Sequence, residues 1–445
     1  MQGRCHKLCN CKLSNSRKSS SKNTTTRAPV CMILAAAQHH GVVSTTLTTF
    51  ISLLAFATVV GVCAKFIKVP YTIALVLAGL VVAAFGAAPD SVVITQELIL
   101  VLLLPPLLFQ AGLHLDIDLL QKKAVPVVIL AIPGVLVSMV LVAVAVRPFL
   151  GDSAWLPALL FGAMLAPTDP ISVVATLKSA KAPNRLKTLI EGESLFNDGT
   201  GVVLFLILLS AVFTTSGHES SLSIVDGVMQ FVKVAGLGVV FGLGFGLIAF
   251  WILRRLNDHV LENAITIVLA WGSFIVAEQS GASGVISVVV AGLIIGNYGT
   301  KLAMGEQTVQ TINTFWESID FLINSIVFLL IGFELQDIGG LETLLQPDVL
   351  LAVAATFGAL LVARALMVYP TAFTIGKHWP KGWKHVVFWS GLKGSIPLAL
   401  VLGLPSGELK QTLVPIAFGV VLVSLLLQGL TVGPLIRKTG VSSES

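Results

Sequence analysis

Three carboxylates, Glu191, Glu193 and Asp198, fall within eight residues in the run Glu191-Gly192-Glu193-Ser194-Leu195-Phe196-Asn197-Asp198-Gly199. This run opens a stretch that is apolar as far as Ala211. Acids placed in lipid are costly, face the protein interior and mark ion or proton pathways. At about 100° per residue, Ser194 and Asp198 share one helical face, and Glu193 points about 140° away from Asp198. Such a helix offers an oxygen-lined spot, made by Ser194, Asp198 and nearby Asn197, and a separate acid that needs its own partner. The pattern reads as a small-cation or proton site.

The elements that must hold these groups are membrane helices. The chain has 445 residues, 55% hydrophobic and 11% charged. Soluble domains carry about 25% charged residues, so the composition is that of an all-α polytopic membrane protein and excludes an ordinary soluble domain. About thirteen apolar segments of bilayer length follow one another, near 46–66, 70–86, 92–113, 124–147, 155–178, 192–214, 225–253, 261–278, 281–299, 317–335, 347–376, 384–405 and 410–436. The connections after the odd-numbered segments carry most of the basic residues, among them Lys122, Lys123, Arg185, Arg254, Arg255 and Lys377. By the positive-inside rule the N-terminus is then outside and the C-terminus, with a short tail at 438–445, cytoplasmic.

Residues 1–44 stand apart. They are basic and Ser-rich and contain no acid, the composition of an organellar transit peptide. A disordered tail, an overcalled start with Met32 as the true one, and a poor secretory signal ending near Ala35 are the competing readings. The five cysteines, Cys5, Cys9, Cys11, Cys31 and Cys63, form no disulfide framework and no common zinc pattern.

Two segments are interrupted in matching ways. The fifth carries Pro167-Thr168-Asp169-Pro170 near its middle, and the twelfth carries Gly391-Leu392-Lys393-Gly394-Ser395-Ile396-Pro397. A break frees backbone groups at membrane depth, tolerable only where they are buried or line a cavity. Seven segments apart, the two breaks run in opposite directions, which points to an inverted-repeat transporter with a midplane site. Kinks in merely packed helices would leave a similar mark, but each break also carries a charge, Asp169 or Lys393. Asp169 is suited to offset half-helix N-termini there, and Lys393 the C-termini.

Weaker features remain. Gly238, Gly242 and Gly246 make a close-packing face that serves either a dimer or an intramolecular contact. Glu317 and Asp320 open the tenth segment, with Asn324 on a nearby face; acids in a first turn complement the helix dipole. Gln110 and Glu278 sit near segment ends, where an interfacial position explains them. No Walker-type loop appears, which argues against ATP coupling; no cofactor and no nucleic-acid partner is expected.

Ala166-Pro167-Thr168-Asp169-Pro170, Glu191 through Thr200, and Gly391-Leu392-Lys393-Gly394 resemble the motifs of the monovalent cation:proton antiporters, in the sodium/proton exchanger (NhaP-like) branch. The likeness runs in order and spacing over residues 45–437. It implies inverted repeats in which the fifth and twelfth segments cross at their breaks. It also implies a homodimer whose protomers hold core helices at about 124–214 and 347–436 and dimerisation or scaffold helices at about 46–113 and 225–335. Under this resemblance Asp198 exchanges a proton for a cation, with Asp169, the Ser194 hydroxyl and the Thr168 carbonyl assisting and Asn197 holding the site. Glu193 pairs with Lys393 as a structural ion pair apart from transport. Two departures stand out: Gln110 replaces a glutamate that in many members can reach the ion, and Lys393 stands where many have arginine.

The function so implied is secondary exchange of Na+, with Li+ or K+ as alternatives, for H+, serving pH and cation homeostasis in a plasma (inner) membrane, or in an organellar one if the basic tail is a transit peptide. Asn197 is neutral where electrogenic relatives have an Asp-Asp pair, so electroneutral exchange is expected. A K+/H+ antiporter of the same fold is the alternative. A cation channel is a further one, although no Thr-Val-Gly-Tyr-Gly filter occurs. An intramembrane serine protease is another, resting on Gly281-Ala282-Ser283-Gly284 with His378 or His385.

Overall fold

The computed structural model describes residues 48, 51–67, 71–85, 98–151, 155–169, 173–174, 176–177, 181–214, 224–337, 340–375, 379–380 and 382–441. The expected tail at 1–44, four of the five cysteines, Pro170, His378 and residues 442–445 lie outside the described residues. From Ser52 onward the chain forms one unit.

Each of the thirteen apolar segments contains helix. In order these are α1 (Ile51–Ile67), α2 (Tyr71–Ala84), α3 (Leu104–His114), α4 (Ala124–Phe149), α5 (Trp155–Leu165), α6 (Asn184–Thr214) and α7 (Ile224–Leu253). There follow α8 (His259–Gln279), α9 (Gly284–Ile294), α10 (Glu306–Asp337) and α11 (Pro347–Thr374). The interrupted twelfth segment gives α12 (Trp383–Trp389) and α13 (Ser395–Leu402), and α14 (Glu408–Lys438) closes the series. Among the described residues, seven helices are long and apolar enough to cross a membrane. The all-helical class expected from composition is what the described residues adopt.

Local chemistry starts these helices. Asp258 caps α8 by accepting from the Val260 and Leu261 amides at 2.9 and 3.2 Å, and Pro347 opens α11 where its missing N–H is not needed. The packing then sorts them. α4 lies against α5, α6 and α11, and α14 against α11 and α13; separately, α2 lies against α10, and α9 against α3, α7 and α8.

Close backbone approach fixes one of these contacts, and a buried ring fixes α10. The Gly238, Gly242 and Gly246 face is used within the chain: a Cβ on Gly242 would stand 2.5 Å from the Ser287 carbonyl oxygen of α9. On α10, Trp316 is fully buried, donates to Thr266 Oγ1 at 3.1 Å and packs against Phe109 of α3, the rings tilted by 46° with centroids 4.8 Å apart. That ring locks α10 to α3 and α8.

α10 begins eleven residues before Glu317, so Glu317 and Asp320 sit in mid-helix. The reading of them as first-turn acids that complement a helix dipole is therefore wrong. The first turns of α10 are amphipathic, with Thr308, Ile312 and Trp316 buried at four-residue intervals, a pattern that averaged hydropathy conceals.

Candidate functional site

The two breaks meet. α5 ends at Leu165, Ala166–Asp169 is irregular, and the Asp169 amide donates to the Leu392 carbonyl oxygen at 2.8 Å. Contact is tightest at Gly394, where a Cβ would stand 2.4 Å from the Asp169 Cβ. The Lys393 ammonium donates to the Ala166 and Pro167 carbonyl oxygens at 2.8 and 3.0 Å. These are carbonyls that the end of α5 leaves without helical partners. Lys393 thus covers the negative end of one half-helix, and the Asp169 carboxylate lies beside the N-terminus of α13. The backbone of Lys393 is held in turn, its amide donating to Ser424 Oγ at 2.9 Å, and that hydroxyl to Gln428 Oε1 at 2.7 Å.

α6 crosses beside this junction. Ser194, Asn197 and Asp198 are all buried. The Ser194 hydroxyl donates to the Thr168 carbonyl oxygen, and the two hydroxyls of Ser194 and Thr168 lie 3.1 Å apart. Asn197 Nδ2 donates to Glu193 Oε1 at 3.2 Å and to Thr168 Oγ1 at 3.5 Å. Asp198 Oδ1 is buried without a hydrogen-bond partner among the described residues. Such an oxygen is expensive unless something occupies it.

A cavity of about 350 Å³ reaches this oxygen-rich spot. Asp198, Asp169, Thr168 and Gln110 line its depth, and exposed His114 and Glu317 its outer part. A second cavity, of about 30 Å³, holds Thr168 and Asn197 on its wall together with Arg364 and Lys393. The expected site residues therefore come together, but they divide. Asp198, Asp169 and Gln110 face the larger cavity; Asn197 and Lys393 face the smaller; Thr168 reaches both; Ser194 joins through Thr168.

The expected Glu193–Lys393 ion pair does not form. Glu193 pairs with Arg364 of α11, Nη1 to Oε1 at 2.6 Å and Nη2 to Oε2 at 2.9 Å, and Nη2 also donates to the Val387 carbonyl oxygen at 3.0 Å. The planar guanidinium fork matches a carboxylate at two points, whereas an ammonium is a point donor suited to orphan carbonyls. Arg364 was legible: it is the sole charged residue between Asp348 and Lys377, the same signal that singles out Lys393. Helical geometry did separate Glu193 from Asp198, and the two acids face different surroundings.

Two residues of the protease alternative have other partners, and the third, His378, lies outside the described residues. Ser283 caps α9, accepting from the Ile286 amide at 3.2 Å. His385 Nδ1 lies 3.2 Å from the Tyr369 hydroxyl. Glu278, read from the sequence as interfacial, accepts from the Gly284 amide at 2.8 Å.

Comparison with known proteins places the chain in a family. The chain is 39% identical over 397 residues to the Na+/H+ antiporter ApNhaP of Aphanothece halophytica, covering 87% of this chain and 73% of that one. It is 39% identical to the Na+/H+ antiporter NhaP of Pseudomonas aeruginosa, over 77% of this chain and 81% of the relative. The solved structure of the sodium proton antiporter MjNhaP1 from Methanocaldococcus jannaschii superposes with a TM-score of 0.74 at 20% identity, covering 90% of this chain and 100% of that one. The family described as sodium/hydrogen exchanger, transmembrane, matches residues 51–438. With the crossed breaks and the buried aspartate already in view, that match over most of its length makes the chain a member of the sodium/hydrogen exchanger family.

Proposed function

We propose that this chain exchanges Na+ for H+ across a membrane, one for one, because both compete for Asp198. The observation that carries the reading is a buried carboxylate with an unengaged oxygen on the wall of a cavity that reaches exposed residues. Proton and cation cannot occupy the same oxygens together, and that competition is sufficient coupling. Asp169 and the Thr168 and Ser194 oxygens supply further ligands. Asn197 and the Glu193–Arg364 pair hold α6 in place without carrying ions. Sodium is preferred over potassium as the substrate because the relatives above are named for Na+/H+ exchange.

Alternating access would move α4–α6 and α11–α14 as a body against α1–α3 and α7–α10, in keeping with the two packing groups. Lys187 lines the larger cavity, next to the basic connection that the positive-inside rule assigns to the cytoplasm. On this reading the conformation is the inward-open one with the C-terminus cytoplasmic, and a plasma membrane is the expected home. A homodimer built on the second group is the expected assembly. The test is Na+-driven proton efflux from liposomes containing the purified protein. Asp198→Asn should abolish it while the protein still folds; exchange surviving in that variant would overturn the reading, and an unsaturable conductance would favour a channel.

A further inference from the structure

Asp320 has no part in the site just described, yet it lies in the middle of α10 and lines the same cavity as Asp198. An ionisable group in mid-helix, with no ion pair among the described residues, needs a reason. Its neighbour supplies one. Asn324, only 1% exposed, donates through Nδ2 to the Asp320 carbonyl oxygen at 3.0 Å and to Asp320 Oδ1 at 2.8 Å. Both partners are acceptors, so the amide orientation is fixed by chemistry and its carbonyl must point the other way. That carbonyl oxygen, Asn324 Oδ1, is buried and has no hydrogen-bond partner, and the residue lines the cavity. Asn324 thus holds one carboxylate oxygen of Asp320 and adds a bare carbonyl beside it.

The surroundings favour a cation. Asp169, Glu191, Asp198, Glu317 and Asp320 all line the cavity, against Lys187 and His114. Lys187 is occupied with Glu191 at 3.6 Å. A cleft lined by one sign of charge between low-dielectric walls raises the local counter-ion concentration. Gln110 faces the same space without a charge, so α3 offers the ion a neutral oxygen only. α10 is anchored next door by buried Trp316, so Asp320 and Asn324 are held on a fixed wall.

We propose that Asp320 and Asn324 form a second monovalent-cation station in the cavity, on the α10 wall, from which Na+ passes to and from Asp198 and which supplies the anionic ligand that Gln110 does not. The inference rests on the exchange reading above, and Glu317 stands at the outer end as the approach to the station. The station sets affinity for Na+, while Asp198 carries out the exchange.

The experiment is Na+-dependent proton efflux in liposomes, with 22Na+ equilibrium binding to the same proteins. Asp320→Asn keeps an oxygen to accept from Asn324; it should raise the apparent KM for Na+ about fivefold or more and lower the maximal rate no more than about twofold. Gln110→Glu added to it should bring KM most of the way back. Asp198→Asn should show no exchange but keep weak saturable 22Na+ binding, which Asp198→Asn/Asp320→Asn should lose. If Asp320→Asn does not fold, Asn324→Leu should raise KM in the same direction, about threefold. An unchanged KM in the folded variant, or equal 22Na+ binding by Asp198→Asn and the double variant, would overturn the station. Exchange by Asp198→Asn would instead overturn the parent reading, so the two failures are told apart.

Discussion

Breaking the Glu193–Arg364 pair should destabilise the fold without touching the ion. Both side chains are largely withdrawn from solvent, Arg364 13% and Glu193 2% exposed, and two bonds of 2.6 and 2.9 Å join them. Removing one partner of a buried pair leaves a bare charge and typically costs about 3–5 kcal/mol. The lower end, about 3 kcal/mol, applies here, because a chain unfolded within a membrane finds other partners for its polar groups. For a unit of this size, that corresponds to a fall of about 4 °C in the apparent melting temperature. Glu193→Gln and Arg364→Met should each show it in a detergent thermal-shift assay. The double variant should recover about 2 kcal/mol relative to the sum, since neither charge is then left alone. Glu193→Gln combined with Lys393→Met should show no such recovery, because Lys393 serves the Ala166 and Pro167 carbonyls. Strictly additive losses for the arginine cycle, or coupling in the lysine cycle, would refute the assignment of partners. Any of these variants that folds should still exchange Na+ with its pH dependence intact.

Other measurements bear on the transport cycle and the crossing. Protons compete for the Asp198 oxygens, so the apparent KM for Na+ should rise as pH falls, approaching about tenfold per pH unit where the carboxyl is mostly protonated; a pH-independent KM would exclude direct competition. One-for-one exchange moves no net charge, so a potassium-diffusion potential, worth about 2.3 kcal/mol per charge per 100 mV, should leave the liposome rate nearly unchanged; a rate that follows the potential would refute electroneutrality. Gly394→Ala would bring a methyl group to 2.4 Å from the Asp169 Cβ. It should cost about 1–3 kcal/mol of stability and most of the exchange, and wild-type activity in that variant would mean the crossing is looser than the contact implies.

What the sequence by itself determined is what local rules govern. Charge scarcity and segment length dictate membrane helices, proline and glycine dictate where two of them break, and the 100° step along α6 separates Asp198 from Glu193. Those features depend on the order of residues along one helix, so no partner need be known. The tertiary structure decided everything that depends on which helices become neighbours. Glu193 chose Arg364 over Lys393 because α11 brings a guanidinium fork to it while the end of α5 claims the ammonium. The glycines of α7 found α9 within the same chain. Asp320 left the helix end for its middle because the first turns of α10 are amphipathic, and their buried stripe is visible only once Thr266 and Phe109 are there to cover Trp316. Partner choice is a competition among distant residues for the same donors and surfaces, and only the folded arrangement states who wins.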